Sequence, residues 1–154
     1  MTSTREIVHG LLRFDGEQLL IQWRTSRATD RLGAEIRTDR ALDAVREVLL
    51  PLSALAEAKV RWLWRPWPPG SYLVLTAADL RAFENVAGEG GLRLQHPAEL
   101  AIRLHGTARV AAREFAGEVE LALAEQALQA AEGATQISGD ATSEAQRTGV
   151  QRSR

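Results

Sequence analysis

The sequence predicts a mainly β (α+β) domain, in which seven antiparallel strands form a barrel or sandwich and one C-terminal α-helix caps it. Residues 5–104 contain short runs of alternating apolar and polar residues, separated by turn signals, which is typical of strands. From residue 107 the pattern changes to the three-to-four spacing of an amphipathic helix. Because one face of the sheet must be kept from water, we expect the strands to close or to sandwich, with the helix covering the open end.

The first two strands have the clearest signal. They flank Asp15-Gly16-Glu17, whose Asp-Gly step favours a tight hairpin turn. In the second strand, Leu19, Ile21 and Trp23 fall on one face. The seven predicted strands are REIVHGLLRF (5–14), QLLIQWRT (18–25), RLGAEIRT (31–38), a short run within REVLLPLSAL (46–55), AKVRWLWRPW (58–67), SYLVLTA (71–77) and residues 99–104.

The helix is predicted over residues 107–133. Thr107 is a good N-cap and Gly133 a good C-terminal stop. Its apolar stripe comprises Ala111, Phe115, Val119 and Ala122. After Gly133 the chain is polar and without period, so we expect a domain over residues 1–131 and a disordered polar tail over 132–154.

Composition narrows the class of partner. The formal net charge of -1 is too low for a protein that binds nucleic acid by neutralising phosphates. The chain has no cysteine, which excludes disulfides and sulfur-based zinc sites and fits a cytoplasmic location. We expect neither a signal peptide nor a membrane-spanning helix, because no apolar stretch is long enough.

Four stretches resemble a known family: GEQLLIQWR (16–24), REVLLPLSALAEAKVRW (46–62), YLVLTAADLRAFENVAGEGG (72–91) and AAREFAGEVELALAE (111–125). They are similar to small bacterial proteins with a pleckstrin-homology-like domain, over roughly residues 5–130. The shared features are packing patterns and not catalytic signatures. The resemblance implies a seven-stranded pleckstrin-homology-like fold capped by one helix.

The same resemblance implies a binding or scaffold module, and we expect neither a cofactor nor catalytic activity. Relatives that bind inositol phosphates use a basic loop between the first two strands. Here that loop is Asp15-Gly16-Glu17, which is short and acidic, so the resemblance does not extend to headgroup recognition of that kind.

The stretch KVRWLWRPWPPGSYLVL (59–75) contains the residues that we predict to bind a partner or lipid. Strand alternation places Trp62 and Trp64 on one face, where we expect them in the core or under the helix, and Arg61 and Arg65 on the other. Trp67 falls in the turn, where it either folds over the rim or forms an exposed anchor. The predicted contact residues are Arg61, Arg65 and Trp67.

Arg24 and Arg27 belong to a second candidate region, RTSRATDR (24–31), which we interpret as a loop between strands. Its arginines are suited to a carboxylate or phosphate. Asp30 within the run favours local neutralisation instead. An exposed edge strand offers a further route to a partner, by accepting an added strand.

We predict no catalytic or metal site. The three histidines, His9, His96 and His105, lack the spacing of metal ligands, and no nucleophile motif is present. The expected function is therefore a non-enzymatic module that binds a protein partner or self-associates. The alternative is peripheral attachment to an anionic membrane through the tryptophan and arginine turn.

Overall fold

The computed structural model describes residues 2–32, 36–65, 68–88, 92, 94 and 96–149. The strands of this part of the chain are β1 (Thr2–Phe14), β2 (Gln18–Leu32), β3 (Ile36–Leu42), β4 (Arg46–Pro51), β5 (Leu55–Leu63), β6 (Gly70–Ala77) and β7 (Glu99–Arg103). A 3-10 turn at Leu52–Ala54 joins β4 to β5, and the α-helices are α1 (Glu84–Ala87) and α2 (Ala108–Gly149).

The described strands form two antiparallel sheets. In the first, β1 pairs with β2 along its whole length, while β4 and β3 pair with the first and second halves of β2. The second sheet has the order β5-β6-β7. The predicted mainly β fold with a C-terminal helix is confirmed. A closed barrel is wrong, because no described strand of one sheet pairs with a strand of the other.

The β1–β2 hairpin turns at Asp15-Gly16-Glu17, as predicted. Gly16 has φ 101°, a left-handed conformation that glycine adopts without a steric penalty. One carboxylate oxygen of Asp15 accepts hydrogen bonds from the backbone N–H groups of Gln18 and Glu17, at 2.8 and 3.0 Å. The bond from Gln18, which has the larger effect, and the bond from Glu17 lower the pKa of Asp15 because they stabilise its ionised form.

The core lies where the first half of β2 faces the three-stranded sheet. The predicted face of β2 is confirmed, since Leu19, Ile21 and Trp23 are all buried. Their apolar neighbours from other elements include Leu50, Leu55, Leu75, Phe83, Val86 and Leu100. Burial of each large apolar side chain contributes about 1.5–3 kcal/mol.

β2 continues as a strand to Leu32, so the interpretation of residues 24–31 as a loop is wrong. This segment pairs with β1 on one side and β3 on the other, which satisfies its backbone on both edges. Its described side chains, from Arg24 to Asp30, are exposed or half-buried. The second half of β2 therefore extends the sheet beyond the core.

Helix α2 covers the core from one side. Ala112, Ala116 and Val119 are buried, and Phe115 and Ala122 of the predicted stripe pack against the core. Ala111 of that stripe is exposed. The helical backbone continues past the predicted stop at residue 133 to residue 149. The division into a domain and a polar tail at residue 132 stays a prediction.

A single carboxylate connects α2 to the outer edge of β5. Glu120 Oε1 accepts a hydrogen bond of 2.7 Å from the backbone N–H of Ala58, which is 99% buried. In an edge strand this N–H would otherwise have to bond to water or to another chain. Helix α2 therefore closes the middle of the β5 edge.

We predict that Glu120→Ala lowers the free energy of unfolding by about 1–3 kcal/mol, because the Ala58 N–H then loses its acceptor. Urea denaturation would measure the change. Glu120→Gln, which keeps a side-chain acceptor, should retain most of the stability, and Glu118→Ala on the exposed face of α2 is the matched control. A loss in Glu118→Ala as large as in Glu120→Ala would contradict the prediction.

A second prediction concerns the hairpin turn. Because the pKa of Asp15 is lowered in the folded state, its contribution to stability is present above the unfolded pKa of about 4 and is lost as pH falls through the folded value. Asp15→Ala should therefore lower the urea midpoint at neutral pH, and the difference from wild type should narrow as the pH falls below about 4. Glu17→Ala is the control. A pH-independent difference would show that the carboxylate charge is not involved.

Candidate functional site

Trp62 and Trp64 lie at the end of the β5–β6 hairpin, and both rings face solvent. Their exposed fractions are 64% and 69%, so the expectation that they lie in the core is wrong. Trp62 lies on the same face of β5 as Val60, which together with its cross-strand partner Leu73 marks the end of the core. The cross-strand partner of Trp62 itself is the small Ser71. Trp64 lies beyond the last residue of β5. Two exposed indole rings, two positions apart in the chain, thus lie at this end of the hairpin.

Arg65 stacks against this surface. Its guanidinium carbon lies 5.9 Å from the centroid of the Trp64 ring, within the range of a cation–π interaction. The described structure contains no carboxylate paired with Arg65. Arg65 is therefore an exposed cation that lies over the face of an exposed ring. We call Trp62, Trp64 and Arg65 the hairpin-end surface.

Arg61, by contrast, is engaged in an ion pair. Lys59 and Arg61, two and four residues further along β5, both donate hydrogen bonds to the carboxylate of Glu57. The hydrogen bond from Lys59, followed by the positive charge of Arg61, lowers the pKa of Glu57. Arg61 therefore has part of its charge neutralised by Glu57, and on β5 it lies on the opposite face from Trp62.

Trp67 lies outside the described residues, so its contribution stays a prediction. The residues that follow it are held by two side chains from the same sheet. The Tyr72 hydroxyl donates a hydrogen bond of 2.7 Å to the carbonyl of Pro68, and Arg103 Nη2 donates one of 3.2 Å to the carbonyl of Pro69. The segment leading into β6 is thus fixed against the outer face of the sheet.

Arg24 and Arg27 lie on β2 in the four-stranded sheet, whereas Arg61 lies on β5 in the three-stranded sheet and Arg65 follows that strand. The two pairs of arginines are therefore on different sheets. Arg27 Nε lies 3.3 Å from Glu6 Oε1, and its Nη2 lies 3.8 Å from Asp43 Oδ2. Arg24 is exposed and has no ion pair within the described part of the chain. Local neutralisation applies to Arg27, although the partners are not the predicted Asp30.

A cleft of about 1550 Å³ separates the two sheets on the side of β1 and β7. One wall comes from β1 and β2, the other from β6 and β7, and the first turns of α2 close one end. Most of its lining is apolar, including Val8, Leu12, Ile21, Leu100, Ile102 and Phe115. The sequence does not predict this cleft, because it depends on how far apart the two sheets lie.

Trp23 lines the cleft with its ring 97% buried. Its Nε1 donor has no hydrogen-bond acceptor among the described residues. The residue opposite Trp23 on β1 is Gly10, which leaves the space beside the ring without a side chain. A glycine inside a predicted strand is the one sequence signal for this site, since such glycines often mark a close approach of another chain or ligand.

Within the described part of the chain, no three histidine or acidic side chains are grouped so that they could hold a metal ion. His9 Nε2 lies 3.2 Å from the Ser26 hydroxyl, and His96 Nδ1 accepts a hydrogen bond from the Ala98 N–H. Of the described helices, none combines the length and the hydropathy required to cross a membrane.

In comparisons with protein-family models, with curated proteins and with solved structures, none matched this chain.

We predict that the emission of the double variant Trp62→Phe, Trp64→Phe shifts to shorter wavelength and resists acrylamide quenching better than wild type. The reason is that the removed indoles are exposed, whereas Trp23 is buried. Steady-state fluorescence measures both quantities, and any signal from Trp67 is common to all variants. Trp23→Phe is the matched control and should shift the emission to longer wavelength. Unchanged quenching in the double variant would contradict the exposure of both rings.

Proposed function

We propose that this chain is a non-enzymatic binding module that recognises a protein partner, or a second copy of itself, through the hairpin-end surface. The observation that supports the proposal is the exposure of two tryptophan rings near Arg65, for which the described residues provide no carboxylate partner. Tryptophan and arginine are the residue types that contribute most binding energy in protein interfaces. Scattered exposed apolar residues are ordinary, but adjacent exposed indoles are not.

The energetics favour a contact at this position. Covering both rings would remove apolar area from water and contribute on the order of several kcal/mol before the cost of association. Arg65 adds directional hydrogen bonding to a partner carboxylate or carbonyl, while it is already oriented by Trp64. Arg61 and Trp67 are proposed as neighbours of this contact. Arg24 and Arg27 are proposed as a separate contact on the first sheet.

Two further observations support a module without catalysis. Asp15 and Glu57, whose carboxyl pKa values are lowered, have hydrogen bonds that account for the shifts. Neither carboxylate lines the cleft. Perturbed groups of an active site are expected to converge in a concave site, and these two do not. The lack of cysteine is compatible with the cytoplasmic location that we propose.

The proposal includes a pleckstrin-homology-like fold. A four-stranded and a three-stranded antiparallel sheet, followed by one long helix, support that assignment. Of the two forms that we expected, a barrel or a sandwich, the two separate sheets match the sandwich. A structure of a relative with the same strand order would test the assignment.

The alternative is peripheral binding to an anionic membrane by the same surface. Exposed tryptophan rings favour the interface between headgroups and acyl chains, and Arg65, Arg61 and Lys59 are near enough in sequence to add positive charge. Glu57 offsets part of that charge. We therefore rank a protein partner first.

The test places a photoreactive benzoylphenylalanine at position 64 in cells that naturally express the protein. We expect a discrete protein adduct from position 64 that is not formed from position 118 on the exposed face of α2. The cross-linked protein is then purified and its affinity measured directly. Trp64→Ala should weaken that affinity roughly tenfold or more, which corresponds to about 1.4 kcal/mol. Trp64→Phe, which keeps an aromatic ring, should lose less.

Two measurements on the purified protein separate the alternatives. Concentration-dependent sedimentation that Trp64→Ala abolishes would identify self-association. Binding to phosphatidylglycerol vesicles that weakens with added salt, and that requires Trp64 and Arg65, would instead favour the membrane. The proposed surface is wrong if position 64 yields no specific adduct and neither measurement responds to its substitution.

A further inference from the structure

We propose that the outer face of the four-stranded sheet binds helix α2 of a second copy of this chain. The contact joins two exposed surfaces of opposite charge, each with aliphatic side chains among its charges. The inference rests on the proposed function only in its use of Arg24, and the hairpin-end surface takes no part in it. Arg27 lies on the other face of β2, where Glu6 and Asp43 pair with it.

The first surface is basic. The register of β1 to β4 determines which side chains point away from the core, because alternate residues of a strand lie on opposite faces. The acids of these strands on the outer face are Asp30 and Glu47, which accept hydrogen bonds from Thr38 and Gln22 at 2.8 and 2.9 Å. The four arginines of this face form no ion pair with a described carboxylate. They are exposed and comprise Arg5 and Arg13 on β1, Arg24 on β2 and Arg40 on β3.

Aliphatic side chains lie among these arginines. On the same face, four such side chains are each more than half exposed, namely Ile7, Leu11, Leu42 and Leu49. A shallow depression of about 200 Å³ lies on this face, and its lining includes His9, Leu11, Gln22, Arg24 and Val45. It has room for an aliphatic side chain of a partner. We call the four arginines and the four aliphatic residues the basic sheet face.

The second surface is acidic and lies on α2. Seven exposed residues recur there at intervals of three or four, the spacing that places residues on one side of a helix. The buried residues Ala112, Ala116 and Val119 lie on the opposite side. The carboxylates among the seven have no ion pair within the described part of the chain. We call these residues the acidic helix stripe, and they are Val110, Glu114, Gly117, Leu121, Glu125, Leu128 and Glu132.

The fold of a single chain does not account for this stripe. Leu123 is the last residue of α2 that packs against the core in the described structure, and residues 124–134 are all exposed. Helices in proteins owe most of their stability to packing, so a projecting helix favours a partner. Gly117 lowers helix propensity, yet a Cβ atom there would meet no atom of another element within 4 Å. Close approach of a second chain gives this glycine a packing role.

Charge and length select the helix of a second copy as the occupant. Two basic sheet faces packed together would oppose arginines, and two acidic helix stripes would oppose glutamates, whereas the stripe on the face pairs opposite charges. From Glu114 to Glu132 the stripe is about 27 Å long, from the rise per residue of an α-helix. From Arg5 to Arg13 the face is also about 27 Å long, from the rise per residue of a strand. The formal net charge of -1 gives the whole chain no attraction for an external polyanion.

The experiment reverses charges on each surface in turn. The sheet variant is Arg24→Glu with Arg40→Glu, and the helix variant is Glu114→Arg with Glu125→Arg. Sedimentation of the wild type should show a mass that rises with protein concentration, and added salt should weaken this association. Each variant alone should associate roughly tenfold more weakly, or less still, because like charges then face each other.

An equal mixture of the two variants gives the sharpest result. Its association should recover towards that of the wild type, because the new arginines of one variant meet the new glutamates of the other. The remaining pairing in the mixture is unchanged. Far-UV circular dichroism checks that both variants fold, and their substituted side chains are exposed. Arg81→Glu, an exposed charge reversal outside both surfaces, is the control and should associate like the wild type.

Trp64→Ala separates this inference from the proposed function. It should leave the association unchanged, since no residue of the hairpin-end surface belongs to the basic sheet face or to the acidic helix stripe. Association that Trp64→Ala abolishes and the charge variants retain would place self-association on the hairpin-end surface. That result would overturn the helix-on-sheet contact and support the proposed function.

Three further results would overturn the contact. A wild type that stays monomeric at every concentration tested excludes it. A mixture that does not recover association, although both variants fold, shows that the two surfaces do not meet. Binding to phosphatidylglycerol vesicles that requires Arg24 and Arg40, without association of the wild type, would assign the basic sheet face to an anionic membrane.

Discussion

The apolar contact between the first half of β2 and the three-stranded sheet, covered on one side by α2, is the constraint on which the rest of the structure depends. Ile21, Leu75, Leu100 and Val119 come from four elements and are at most 2% exposed. Such close packing leaves little freedom in how the elements meet. Because only the first half of β2 takes part, the strand leaves the core after Trp23, and its second half is held by pairing with β1 and β3.

The position of α2 makes the edges of the sheets unequal. On β5 the helix provides both apolar cover and the carboxylate of Glu120, which bonds the backbone of Ala58. On the opposite side, β1 and β7 border an open cleft. The two sides of the sandwich therefore differ in what covers them within the described part of the chain.

The described tryptophans show how much of a side chain's role depends on its surroundings. Trp23 and Trp62 both lie on strands in stretches with similar apolar patterns, yet one is 3% exposed and the other 64%. This difference in exposure comes from the neighbouring residues, because Trp23 faces the other sheet, whereas Trp62 lies past the end of the core beside Ser71. Alternation assigns residues to a face of a strand. It does not say whether anything covers that face at a particular position.

By itself the sequence determined the mainly β class with a terminal helix, the Asp15-Gly16 hairpin and the buried face of β2, because each follows from local periodicity, turn geometry or propensity. The tertiary structure alone decided three other features. They are the extension of β2 through residues 24–31, the exposure of Trp62 and Trp64, and the open cleft beside Gly10. Each of these depends on contacts between residues distant in the chain. Such contacts are set by how two sheets and a helix share one core, and a local pattern carries no record of them.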